Sequence, residues 1–188
     1  MLGISREPAD PNRQEVAGMG HDAWDRLWTP YRMAYIRGES RPKDDSAGPE
    51  CPFCLGRDSD ESLVVARGEH TFVVMNLYPY NPGHVLVCPF RHVADLTDLT
   101  AEESAELSGF TVRMMRAIRA ASGPHGFNIG LNQGSAAGAG ISGHLHQHIV
   151  PRWSGDSNFM TTVAGSKTMV MLLEESRDLL AKALADIA

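Results

Sequence analysis

The chain has 188 residues and a mass of 20.5 kDa, enough for one domain that buries roughly 70% of its unfolded surface without disulfide or metal staples. It is 43% hydrophobic and 21% charged, an ordinary globular balance, and its net charge of -6 excludes general attraction to nucleic acid or to an anionic membrane. The opening MLGISREPADPNRQ lacks an apolar signal-like stretch, and no run approaches the roughly 20 apolar residues a bilayer demands, so a cytoplasmic protein is expected.

Residues 1–22 are polar and without pattern, and RGESRPKDDSAGPE at 37–50 mixes charge, Pro, Gly and Ser as mobile segments do. Residues 1–50 are therefore read as a partly mobile extension. Within it, AWDRLWTPYRMAYI at 23–36 is aromatic and requires burial, on its own domain or on a second subunit. The main domain is expected over 51–188. ESLVVAR, HTFVVMN and HVLVCPF are short, rich in β-branched or aromatic residues and separated by turn chemistry, most clearly NPG at 81–83, so three strands are expected. Thr100 followed by Glu103 is a capping-box signature, and Leu107, Phe110, Met114 and Ile118 recur at helical spacing, which predicts a helix over about 100–121. GPHG ends it. FNIGLN reads as a strand, QGSAAGAGISG as a glycine-rich loop, and HLHQHIV as a strand stopped by Pro151. From about Ser166 a last helix places Met169, Leu172, Leu173, Leu179, Leu180 and Ile187 on one stripe. The order β-β-β-α-β-β-α with short turns predicts an α+β fold, an antiparallel sheet carrying two main helices.

Three of the eight histidines, His144, His146 and His148, stand at alternate positions, so in a strand their rings share one face. Imidazoles in a row either hold a catalytic metal or let one ring act as nucleophile or base while its neighbours fix its tautomer and stabilise charge. A binuclear metal centre needs further ligands, and no histidine follows His148. A nucleophile needs an electrophile held in an anion cradle, and NQGSAAGAG lies just upstream, where small residues let backbone N–H groups approach phosphate oxygens. Of the three cysteines, Cys51 and Cys54 in CPFC have the two-residue gap that lets both sulfurs reach one ion, or form a free thiol pair with redox chemistry. Cys88, in an apolar run, is assigned to the core. His84 reads as a turn or strand residue, His21, His70 and His125 belong to no constellation, and acidic stretches such as AEESAE read as solvated faces.

HLHQHIV, with NPGHVLVCPFRHVADL, GFNIGLNQGSAAGAG and HIVPRW in the same order, resembles the histidine triad (HIT) family over roughly residues 51–163, and NLYPYNPGH and VPRWSGDSNF resemble its bacterial diadenosine tetraphosphate phosphorylases or hydrolases. The resemblance implies a HIT-like five-stranded sheet continued across a homodimer, and cleavage of dinucleoside polyphosphates by way of a nucleotidyl-histidine intermediate on His146. Water or orthophosphate would be the acceptor. In this scheme His148 stabilises phosphate charge, His144 belongs to the catalytic row, Asn132 donates to phosphate, and Gly138, Ala139, Gly140 and Ile141 present backbone donors. Asn76 matches a ribose-binding position and is equally an ordinary strand-end turn residue. Phe53 matches a base-pocket position and is equally a core residue, while Trp153 stacks on a second base or covers a dimer surface.

Cys51, Cys54, His92 and His144 resemble the zinc set of some family members and of the related galactose-1-phosphate uridylyltransferases, implying a structural Zn2+ that ties the N-terminal segment to the sheet; no redox cofactor is implied. Two positions depart from the family pattern. Gly140 and Ile141 stand where many members carry Gln followed by Ser or Thr, with Ser142 as a possible substitute, and Gln147 occupies a usually apolar position, so the opposite face is not wholly dry. The competing readings are a nucleoside phosphoramidate or acyl-adenylate hydrolase using the same nucleophile, and a nucleotide-binding scaffold with little turnover.

Overall fold

A computed structural model describes residues 51–56, 63–157 and 170–187. The extension 1–50, with its aromatic segment 23–36, lies outside the described residues, as does Met169. The described chain builds a short helix α1 (Pro52–Gly56), strands β1 (Val64–Arg67), β2 (Thr71–Met75) and β3 (Val85–Pro89), helix α2 (Ala101–Ser122), strands β4 (Gly126–Leu131) and β5 (Gln147–Arg152), and helix α3 (Leu173–Asp186). The strands form one antiparallel sheet of order β1-β2-β3-β5-β4, which matches the expected α+β fold.

Side-chain alternation divides the sheet into two faces. Val85, Val87 and Ile149 join Val73, Met75, Leu107, Phe110, Met114, Ile118 and Leu180 in the core under α2 and α3. Leu86 and Cys88 turn the other way, joining Phe72, Cys51 and Phe53 beneath α1. Every residue of β3 is therefore buried, as a central strand covered on both faces requires. Leu86 pairs with His148, so this register also fixes His148, the last of the histidine row, on the α1 face.

Helix α2 starts where the sequence places it. Thr100 Oγ1 accepts the Glu103 N–H and the Glu103 carboxylate accepts the Thr100 N–H. At its far end Gly123 takes the left-handed conformation (φ 57°), which costs a residue without Cβ nothing. Two acids of AEESAE are not solvated. Glu103 is buried and pairs with Arg91 at 2.6 Å, and the Glu106 carboxylate accepts the N–H groups of Glu69, His70 and Thr71 and the Thr71 hydroxyl. Glu106 thereby ties the β1–β2 turn to α2, and a Cβ on Gly68 would fall 2.3 Å from its Oε1.

Three expectations need correction. Strand β5 begins at Gln147 and runs through Pro151; β3 pairs only with Gln147–Ile149, so the missing proline N–H leaves no gap in that ladder. His144 and His146 precede the strand. On α3 the buried face carries Leu180, with Leu173, Ala181 and Leu184 packed against the core, while Leu172, Leu179 and Ile187 are exposed. The inward stripe is the i, i+7, i+11 series from Leu173, which rotates Leu179 and Ile187 outward. No described helix is long and apolar enough to cross a membrane.

Candidate active site

Each ring of the row is fixed by a different partner, and the partners identify its protonated nitrogen. His144 is wholly buried. Its Nε2 lies 2.9 Å from the Pro89 carbonyl, which only accepts, so Nε2 carries the proton and Nδ1 keeps a lone pair. That lone pair faces the sulfurs of Cys51 at 3.4 Å and Cys54 at 3.6 Å. Cys54 Sγ also lies 3.5 Å from His92 Nδ1, and the four ligand atoms all lie within 4.8 Å of one another. A tetrahedral ion with bonds of about 2.0–2.3 Å sets its ligand atoms about 3.5 Å apart, so the donor set fits a metal such as zinc. Helix α1 supplies the geometry, since Cys51 precedes its first turn and Cys54 lies on it. Burial pushes the Cys51 thiol up to about 11, a cost that a bound cation removes by taking the thiolate.

His146, nearly buried, places Nδ1 2.8 Å from the His144 carbonyl. Nδ1 is thus the donor and Nε2 the basic nitrogen. Burial lowers its pKa below the ordinary imidazole value, opposed by the hydrogen bond to the His144 carbonyl, so the ring is neutral at pH 7. Phe53 packs on it at 5.1 Å and on His144 at 5.4 Å between ring centroids. The phenyl ring therefore touches both the metal-ligand cluster and the middle histidine.

His148 depends on a residue whose part the sequence does not reveal. His84, wholly buried, accepts the Tyr80 N–H on Nδ1 at 3.0 Å. Its proton is then on Nε2, which lies 3.0 Å from His148 Nδ1. His148 consequently carries its own proton on Nε2, a buried atom that takes up no hydrogen bond among the described residues. Burial, and the charges of His148 and then His146, push His84 down to about 3, so it remains neutral and the direction of the chain is fixed. The signal available in the sequence was that His84 precedes a strand adjacent to the row.

The other expected residues divide. Asn132 is half-buried just beyond β4, at the entrance to the glycine loop. Within that loop Gly138 N–H donates to the Ser135 carbonyl and Ala139 N–H to the Gly134 carbonyl, so both serve the loop's own turn. Gly140 and Ile141 N–H groups make no backbone hydrogen bond among the described residues. The Asn76 carboxamide accepts the Tyr78 N–H at 3.0 Å and approaches the His84 ring at 3.4 Å, a turn-forming role. Trp153 is half-buried, its indole N–H 3.4 Å from the Ser122 carbonyl at the end of α2 and its backbone N–H on Asp156. Gln147 donates to Thr111 at 2.6 Å, which satisfies the polar group expected on the helix face.

A row of imidazoles on a HIT-type sheet has known relatives. A family model described as HIT domain matches residues 57–155, and the chain belongs to this family. It is 52% identical over 169 residues, 87% of each chain, to a protein of Mycobacterium tuberculosis named AP-4-A phosphorylase, and 38% identical over 92 residues, 49% of this chain and 61% of the other, to a bis(5'-adenosyl)-triphosphatase of Dictyostelium discoideum. Among solved structures, a Zn-bound histidine triad family protein from Mycobacterium smegmatis superposes with a TM-score of 0.61 at 32% identity, covering 73% of this chain and 94% of that one.

Proposed function

We propose that the protein is an enzyme that cleaves dinucleoside polyphosphates of the diadenosine tetraphosphate type through a covalent nucleotidyl-histidine intermediate on His146. The observation that carries this reading is the 2.8 Å bond from His146 Nδ1 to the His144 carbonyl, which leaves the lone pair on Nε2. In the first step Nε2 attacks the α-phosphorus, an N–P bond forms, and the bridging P–O bond breaks with its electron pair leaving on the departing nucleotide. In the second, an oxygen of water or orthophosphate attacks the same phosphorus and the N–P pair returns to Nε2. Splitting one displacement into two is what a neutral buried imidazole does well.

His148 donates its Nε2–H to a non-bridging phosphate oxygen, aided by Asn132 and by the N–H groups of Gly140 and Ile141. Gly138 and Ala139 shape that loop. Phe53 and Asn76 border the nucleoside, and Trp153 offers a second aromatic face. Cys51, Cys54, His92 and His144 hold a structural zinc, which contributes folding energy when bound. The chain's residues 51–188 then form the HIT domain and 1–50 an extension, in accord with the change in composition at that point. A homodimer with sheets joined through β4 is supported by the position of that strand at the rim of the sheet and by the exposure of Asn128, Ile129 and Gly130 on it. Cys51, Cys54 and Cys88 form no disulfide among the described residues, which suits a reducing, cytoplasmic setting.

Incubation with diadenosine tetraphosphate, with and without orthophosphate, tests the proposal. ADP plus ATP formed only with orthophosphate identifies a phosphorylase, and AMP plus ATP without it a hydrolase; two ADP would place the attack on a β-phosphorus and overturn the step above. Tight binding without products would overturn the catalytic reading in favour of a scaffold.

A further inference from the structure

We propose that Tyr80 is a positioning residue that holds the ring of His148 in the plane and orientation from which its Nε2–H meets the substrate phosphate, an inference that rests on the nucleotidyl-transfer reading above. Tyr80 stands in the turn Pro79-Tyr80-Asn81-Pro82-Gly83, closed by the His84 N–H on the Asn81 carbonyl at 3.2 Å, with Gly83 at φ 75°. Two prolines with fixed φ leave this turn little conformational freedom.

From that position the residue reaches both imidazoles of the pair in two separable ways. Its backbone N–H lies 3.0 Å from His84 Nδ1, which sends the His84 proton to Nε2 and toward His148. Its ring lies 5.8 Å from that of His148 with the planes only 14° apart, and 4.8 Å from that of His84 at 39°. Both separations fall in the range of favourable aromatic pairs. A half-turn of the His148 ring about χ2 would put Cδ2 where Nδ1 stands and Cε1 where Nε2 stands, breaking the bond from His84 and moving the proton away from its place in the row. The hydrogen bond opposes that flip from one edge of the ring, and the phenol face restrains rotation of its plane. Only the second contribution belongs to the side chain, so substitution isolates it.

The test uses the full chain with Tyr80→Met, Tyr80→Leu and Tyr80→Phe. Met lacks a π face and, being unbranched and flexible, fills an irregular gap, which guards against a folding failure of the branched variant. Nitrogen NMR of labelled histidine, without substrate, reports the tautomer and ring environment of His148. Met and Leu variants are expected to convert the single Nε2–H pattern into a mixture and to lower kcat about tenfold while leaving KM for diadenosine tetraphosphate nearly unchanged; Phe is expected to keep both. A wild-type nitrogen pattern in folded Tyr80→Met, a loss confined to KM, or an equal loss in Tyr80→Phe overturns the proposal. Because the NMR arm needs no substrate, it judges Tyr80 even if the reaction assigned to the site proves wrong.

Discussion

At one end of the row His144 turns a bare Nδ1 toward two sulfurs and anchors Nε2–H on the Pro89 carbonyl. At the other end His148 accepts on Nδ1 from His84 and directs Nε2–H into the site. The residue type and the tautomer, Nε2–H, are the same, and the exposed ends are opposite: His144 commits its proton to a backbone carbonyl and presents its lone pair, whereas His148 commits its lone pair to His84 and presents its proton. What sets them apart is the group against which each ring is folded, a backbone carbonyl for His144 and a protonated ring nitrogen for His148. The middle ring borrows from the first, since the carbonyl of His144 fixes its Nδ1–H. On the proposed reading a histidine row of this kind is a graded series, metal ligand to nucleophile to hydrogen-bond donor, imposed by the elements around it.

The comparison breaks most visibly at the centre. His146→Gln removes the attacking lone pair and is expected to lower turnover by at least about a thousandfold, measured as nucleotide release, while leaving nucleotide binding in place. At the donor end, His148→Phe should cost about a hundredfold in kcat, the scale of one lost donor to developing phosphate charge. At the ligand end the effect is on the fold: stripping metal with a chelator, or Cys51→Ser, should lower the melting temperature by about 10 °C, and zinc should restore it for the wild type but not for the variant.

The smallest effect sharpens the account of His84. Its folded-state pKa of about 3 lies below the ordinary value near 6.5, so as pH falls the unfolded chain binds this proton first and stability declines. The loss begins near pH 6.5, proceeds by up to about 1.4 kcal/mol per pH unit and ends near the folded value. Chemical denaturation between pH 6.5 and 5, above the range where carboxylates titrate, should show a shallower slope for His84→Gln than for the wild type.

The sequence made the strands, the capping box of α2 and the cysteine pair legible because each rests on local pattern or on spacing: alternation, Thr100 with Glu103, Cys51 with Cys54; His92 and His144 joined that pair only through the family resemblance. It did not reveal the part played by His84, since a histidine before a strand acquires meaning only when β3 lies beside β5. Glu106 was obscure for the same reason, its partners lying 35 to 37 residues away. The exposed side of α3 was misread because leucine content does not specify which leucines face the sheet; packing against α2 and β1 selects Leu173 and Leu180. In the glycine loop, the family resemblance implied four donors, whereas the turn at Ser135–Ala137 consumes two of them.

Rapid quenching of the protein with labelled diadenosine tetraphosphate, followed by digestion under alkaline conditions that spare phosphoramidate bonds, tests the central claim most directly. The account predicts a nucleotidyl group on Nε2 of His146 that forms and decays fast enough to lie on the reaction path, with overall retention of configuration at phosphorus. Turnover with inversion at phosphorus and no adduct on His146 would contradict it.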